Sequence, residues 1–366
     1  MEHFYLLVEK MKQLRFFNLD LHISVIEDVK RIFNELGHHV ESWCISGHNW
    51  VLNNPTPKVD VITSQNWMNI DEEMCDRFYL RYKDEFSQYD GFIVTYPPVF
   101  TKLFEKFEKP IIMYVPIRYE VPFGGKPKQW EQFNDYLKSS IDRGKIIPVA
   151  NSLYDKKYCE HFLHTQFNYI PSLCEYTKTK WNPSIDKFLY FSKFNTRLND
   201  KLVNKSDLGK YSWDELGKFK GIVNIPYTSS TMSMFEQYTS NIPLFFPTKE
   251  FLLKLHSEFG KFGVLSELTW NQIFKTGNGS SIKNDNGDPN DLTDIDNLSK
   301  WIGYSDFYNN EVHPYINYFN SATDLQEKME NIDLQLVSEK MNEHNVKRRK
   351  NIFDMWCTLL EGITLA

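Results

Sequence analysis

No C-x-x-C pair occurs in the chain. Its five cysteines, Cys44, Cys75, Cys159, Cys174 and Cys357, are odd in number and widely scattered. That spacing excludes a zinc knuckle and a dithiol redox motif. Reduced thiols in a cytoplasmic protein are the expectation. Long apolar runs are also missing, so no membrane span is expected. The start, "MEHFYLLVEKMKQLRFF", is too short in apolar length and too charged for a signal peptide. An excess of charge of one sign is also missing: the formal net charge is −6 over 366 residues. Phosphate backbones need a basic face, so nucleic acid is not expected as a partner. The one dense basic run, "VKRRK" at 346–350, falls in a helical pattern and reads as a solvated helix face. The nucleotide signatures G-x-x-x-x-G-K-[ST] and G-x-G-x-x-G are absent, as is the G-x-S-x-G of hydrolases. No D-x-D cluster follows a strand, so no metal-bridged diphosphate site is expected, and no cofactor with it. No repeat has solenoid or propeller spacing.

What is present is alternation. "LRFFNLD" (14–20) reads as a buried strand. "SVIEDVKRIFNELG" (24–37) follows with Val25, Val29, Ile32, Phe33 and Leu36 on one helical face. Ser24 and Glu27 suit a capping box there, and Gly37 suits the stop. Strands are expected again at 39–46, 59–63, 91–96, 110–117 and 145–150, with helices over 99–107 and from Ser152. The stretch 171–184 has two prolines and little periodicity, so it reads as a linker. The rhythm restarts with strands at 186–192, 220–227 and 242–247, then a helix over 248–260. A polar Gly/Asn/Asp-rich loop spans 276–291, and helices dominate 295–366. Strand–helix alternation implies parallel sheets covered on both faces. The chain therefore divides into two doubly wound α/β domains, 1–172 and 185–345, and a terminal helix at 346–366 able to pack back on the first.

In such sheets ligands bind beyond the carboxyl ends of the strands. Two expected βα turns carry chemistry. The first is "NLDLHIS" (18–24). A histidine there can take a proton near neutral pH, with a carboxylate to orient it. Asp20 and His22 fit that role, or else a local hydrogen-bonded loop pair. The second is "IPYTSSTMSMFEQY" (225–238), which delivers Thr228, Ser229, Ser230, Thr231 and Ser233 to a helix start. Ser233 and Glu236 fit a capping box. The same turn can hold an anion, because a helix N-terminus offers unpaired N–H groups and a positive dipole end. Lys193 and Arg197, four apart after another strand, can meet on a helical turn to hold a diphosphate, or can simply face solvent. The aromatic-rich segment 114–130 can line a binding face or form a packed turn.

These residues together resemble the GT-B-fold glycosyltransferases, of a type common in viral and marine microbial sequences. The likeness rests on the Asp20–His22 turn, "NELGHHV" (34–40), "PVANSLYDKKY" (148–158), "FNYIPSLCEY" (167–176) and "SDFYNNEVHPYINYFNSATDL" (305–325). The most specific stretch is "GIVNIPYTSSTMSMFEQYTSNIPLFFPTKEFL" (221–252). The resemblance implies two Rossmann-like domains facing across a cleft, and sugar transfer from a nucleotide-sugar donor to a glycan or other hydroxyl acceptor. It implies that Ser229, Ser230 and Ser233 meet donor phosphates. Glu236 would meet ribose or sugar hydroxyls, Lys193 and Arg197 the leaving diphosphate, and Asp20 and His22 the acceptor. Retaining members carry a second glutamate eight positions beyond the first; here that position is Leu244, so the stereochemistry stays open. A nucleotide-sugar epimerase and a non-catalytic nucleotide- or sugar-binding module are the alternatives.

Overall fold

The computed structural model describes residues 12–46, 59–193, 201–259, 263–269, 279–282 and 287–365. The chain forms two units. One comprises Met1–Ser172 with Asn351–Ala366, the other Leu173–Lys350.

The first unit is built on β1 (Arg15–Asp20), β2 (His39–Cys44), β3 (Gly91–Val94), β4 (Ile111–Val115), β5 (Ile146–Ala150) and β6 (Asn168–Tyr169). The sheet order is β2-β1-β3-β4-β5-β6, and every pairing is parallel. The second unit contains β7 (Ile185–Phe191), β8 (Leu202–Asn204), β9 (Phe219–Asn224), β10 (Leu244–Pro247) and β11 (Asn317–Phe319). Its order is β8-β7-β9-β10-β11, again parallel throughout. In each unit the first strand lies between the second and the third. The order therefore reverses beside that strand, which is where such sheets bind ligands. Every residue of β3, β4 and β10 is buried, as expected of parallel strands covered on both faces.

The two units solve one packing problem in the same way. Gly91 of β3 pairs with Phe16 of β1, and a Cβ there would lie 3.0 Å from the Pro110 carbonyl and 3.1 Å from the Phe16 ring. Gly221 of β9 pairs with Phe188 of β7, and a Cβ would lie 2.8 Å from the Pro243 carbonyl and 3.2 Å from the Phe188 ring. Each glycine thus lets a large ring on the first strand lie across the third. Aromatic rings fill the first core: Phe92 stacks on Phe104 at 4.4 Å, and Phe17 lies 4.1 Å from Phe86. The helix Leu334–Leu365 adds Trp356 to that core, edge-on to Phe33 and Tyr114. No helix among the described residues is long and apolar enough to cross a membrane.

Several local expectations are corrected. Residues 59–63 form no strand. Val59 and Ile62 are buried from a loop held by side chains: Asn66 Oδ1 accepts from the Thr63 N–H at 2.7 Å, and Tyr82 Oη accepts from the Asp60 N–H at 3.1 Å. The apolar signal was burial without pairing. The stretch 99–107 is largely a 3-10 helix, Pro98–Phe104. The first helix begins at Ile23, so its cap position is His22 and Ser24 lies inside it without a capping box. Gly37 does follow the helix with φ +84°. In the segment 114–130, for which a binding face and a packed turn were both open, Tyr114, Tyr119 and Trp130 are buried, and the Trp130 indole N–H donates to Tyr119 Oη at 2.9 Å. Within the basic run, Arg348 is buried and donates to Thr239 Oγ1 at 2.9 Å, so it is not on a solvated face.

Candidate functional site

A cavity of about 370 Å³ opens at the carboxyl ends of β7 and β9, at the reversal point of the second sheet. Its wall takes Phe191, Ser192 and Lys193 from the end of β7. It takes Lys205 and Tyr211 from the segment after β8, and Asn224 to Thr228 from the end of β9. Ser230, Thr231 and Ser233 close it at the start of the helix Met232–Thr239. Among the described residues the charged groups of the wall are Lys193 and Lys205; no carboxylate lines it. Hydroxyls, aromatic faces and cations make a surface suited to an anion carrying a flat ring.

The hydroxyl turn divides its labour. Thr231, not Ser233, caps the helix, and its Oγ1 accepts from the Met234 N–H at 3.3 Å. The Ser233–Glu236 capping box is therefore absent, because the helix starts one residue before Ser233. Ser233 Oγ donates instead to Thr231 Oγ1 at 3.1 Å. Thr228 lines the cavity, is buried, and its Oγ1 has no hydrogen-bond partner among the described residues. A buried polar atom left without a partner is costly, which marks a place where a ligand atom would be welcome. Ser230 and Ser233 line the cavity; Ser229 is buried and does not.

The cations differ. Lys193 is paired with Glu267 and lies over the Tyr227 ring, 3.9 Å from its centroid. The Lys205 ammonium lies 4.7 Å from the Phe191 ring centroid and 5.4 Å from that of Tyr211. Arg197 lies outside the described residues. Glu236 is half-buried beside the cavity but not in its wall. Its carboxylate accepts from Tyr176 Oη at 2.5 Å. Burial pushes its carboxyl above the usual range, against the hydrogen bonds of Tyr176 and Trp213 and the charge of Lys205.

In the first unit, Asp20 and His22 occupy the corresponding reversal point, after β1 and beside the end of β3. Asp20 is fully buried. The Thr95 hydroxyl donates to its Oδ2 at 3.2 Å, and the Cys44 thiol and the His22 backbone N–H also face the carboxyl. Burial dominates these contacts and pushes the Asp20 carboxyl up to about 7. The carboxyl thus faces the backbone of the turn at His22. His22 is exposed, with its ring edge-on to Tyr96 at 6.4 Å. The neighbouring Cys44 thiol is pushed up to about 11 by burial, which makes it a poor nucleophile.

A larger hollow of about 1040 Å³ in the first unit lies at the amino ends of β4 and β5, the wrong end of the sheet for a ligand. Its cations are engaged in holding the fold. Lys145 donates to the Phe107 and Lys109 carbonyls at 2.7 and 2.8 Å, and Arg143 pairs with Glu105 at 2.8 Å. Among the described residues no group of three or more His, Cys, Asp or Glu is placed to hold a metal.

Sequence reasoning missed Lys205 and Tyr211. Their signal was weak: β8 has three residues, too few for a pattern, and Lys205 sits in the polar string "NKSDLGKY".

No family model matches the chain, and no curated protein matches it in sequence. Among solved structures it is similar to the glycotransferase of kitacinnamycin, at 8% identity over 96% of this chain and 100% of that one, with a TM-score of 0.47. It is similar also to CalG4, the calicheamicin glycosyltransferase (9% identity, 96% and 98% coverage, TM-score 0.38). A third similar structure is the glycosyltransferase SnogD from Streptomyces nogalater (9%, 95% and 99%, 0.44). At such identities and scores these likenesses decide nothing about the chemistry of this chain.

Proposed function

We propose that the chain is a glycosyltransferase that moves a sugar from a nucleotide-sugar donor to a hydroxyl acceptor, without a metal. The observation that carries this reading is the cavity at the reversal point of the second sheet. Its charged wall residues are Lys193 and Lys205, and it joins them to aromatic faces and a helix N-terminus. In the reaction the bond from the sugar C1 to the diphosphate oxygen breaks, and a bond from C1 to the acceptor oxygen forms. Negative charge grows on the departing diphosphate. Fixed cations and helix N–H groups aimed at that charge stabilise the transition state. This is the role a divalent cation fills in other transferases.

The acceptor proton needs a receiver. In an inverting reaction the exposed His22 takes it, and Asp20 fixes the turn that presents His22 through the backbone N–H. All five cysteines are buried thiols and none is in a disulfide, which suits a reducing, cytoplasmic setting. The net charge of −6 favours a glycan or other hydroxyl compound over nucleic acid as acceptor.

The test is thermal melting in EDTA against UDP, GDP, ADP, CMP and dTDP. A ligand at 100 times its Kd adds about 2.7 kcal/mol to the folded state. One base class should raise the melting temperature without added metal, and Ser230→Tyr, which fills the cavity, should abolish the rise. No rise with any nucleotide would defeat the reading.

A further inference from the structure

We infer that, among the described residues, Lys205 is the cation that binds the donor's phosphates, and that Lys193 is secondary to it. The inference rests on the reading of the second-unit cavity as a donor site and assigns a residue within it.

The two lysines differ in what each already holds. Lys193 has a counter-ion: its ammonium is paired with Glu267, whose N–H donates to the Tyr227 carbonyl at 2.9 Å beneath the same ring. A phosphate approaching Lys193 must compete with a carboxylate anchored beside it. Lys205 has no carboxylate within ion-pair distance among the described residues. Two aromatic faces hold its ammonium instead. Ring faces attract a cation through their quadrupole but accept no conventional hydrogen bond from it. The three N–H donors of a lysine therefore stay available for oxygen. The ring contacts also fix the side chain, so less rotamer freedom is lost when an anion binds.

Position supports chemistry. Lys205 follows β8, the strand paired to β7, so it stands at the same carboxyl edge as the helix Met232–Thr239. The buried, unpartnered Thr228 Oγ1 lies in the same wall. A cation, an unmet hydroxyl and a capped helix start thus share one cavity. Only the cap is explained by the fold.

The test uses the full chain and calorimetry in EDTA, with inorganic pyrophosphate, UDP, GDP and ADP as probes. Lys205→Met keeps the packing against Phe191 and Tyr211 while removing the charge; Lys205→Arg keeps the charge; Lys205→Gln is a second neutral variant. Unchanged melting of the unliganded variants establishes that they fold. Lys205→Met and Lys205→Gln are expected to weaken pyrophosphate, and any nucleoside diphosphate that binds, by about tenfold or more, as for loss of a charged hydrogen bond. Lys205→Arg should recover most of that loss, and Lys193→Met should cost a smaller factor. Wild-type binding of pyrophosphate by Lys205→Met, or an equal or larger loss in Lys193→Met, overturns the inference. So does a wild-type protein that binds neither pyrophosphate nor a nucleoside diphosphate. Lys205-dependent binding of pyrophosphate with no binding of any nucleoside diphosphate would uphold the phosphate assignment and defeat the donor reading instead.

Discussion

Asp20 shows how one buried carboxyl ties stability to pH. Its pKa rises from the usual carboxylate range to about 7 in the folded chain. Below about pH 4 the group is protonated folded or unfolded and costs nothing. Between about 4 and 7 the unfolded chain ionises first, so the fold loses stability as pH rises, by up to ~4 kcal/mol across the window. Above 7 the loss is complete. Denaturant unfolding of Asp20→Asn is expected to lack this fall, so that its stability relative to the parent grows between pH 4 and 7 and then levels off. A constant difference across that range would contradict the burial account. At this scale the sequence placed Asp20 and His22 on one turn. It did not reveal that the carboxyl turns inward to Thr95 and Cys44, because those partners lie at the ends of other strands. Likewise Glu236 was legible as a carboxylate one helical turn from the cavity. Its commitment to Tyr176 and Trp213 depends on residues 60 and 23 positions away in sequence.

Strands set the next scale, and glycine decides how closely two of them approach. Gly221 brings β9 against Phe188 and the Pro243 carbonyl, with room for no further atom. Gly221→Ala should therefore destabilise by about 1–3 kcal/mol, as overpacking of a filled core does. A Cβ added at Gly362, in the helix Leu334–Leu365, would meet nothing within 4 Å, so Gly362→Ala should stabilise by about 0.5–1 kcal/mol. Chemical denaturation of the two variants beside the parent checks both signs. The long buried strands were legible because a parallel strand covered on both faces must be apolar along its whole length. β1, β3, β4, β5 and β10 fall within the expected stretches, and β7 and β9 begin one residue before theirs. The short edge strands β8 and β11 were not legible, since three residues carry no periodicity. The false strand at 59–63 has the opposite cause. Burial alone made it apolar, while side-chain hydrogen bonds met its backbone needs.

At the scale of the whole molecule, the chain builds two parallel sheets with the same strand reversal and the same glycine-over-phenylalanine contact. Each unit has a cluster of polar groups at that reversal. One offers a buried acid below an exposed imidazole; the other offers a cationic, hydroxyl-rich and aromatic cavity. The alternation of strands and helices made the two sheets legible, and the hydroxyl turn does line a cavity at the reversal of the second sheet. The distinction between a lysine already paired with a carboxylate and one held over rings is a property of packing, which no linear pattern records. Metal-free sugar transfer is tested by release of nucleoside diphosphate from a set of nucleotide sugars, in EDTA, with and without hydroxyl acceptors. One nucleotide sugar should be consumed without metal, faster with a suitable acceptor, and Lys205→Met should suppress its consumption. No release from any nucleotide sugar, or release only after a divalent metal is restored, would contradict it.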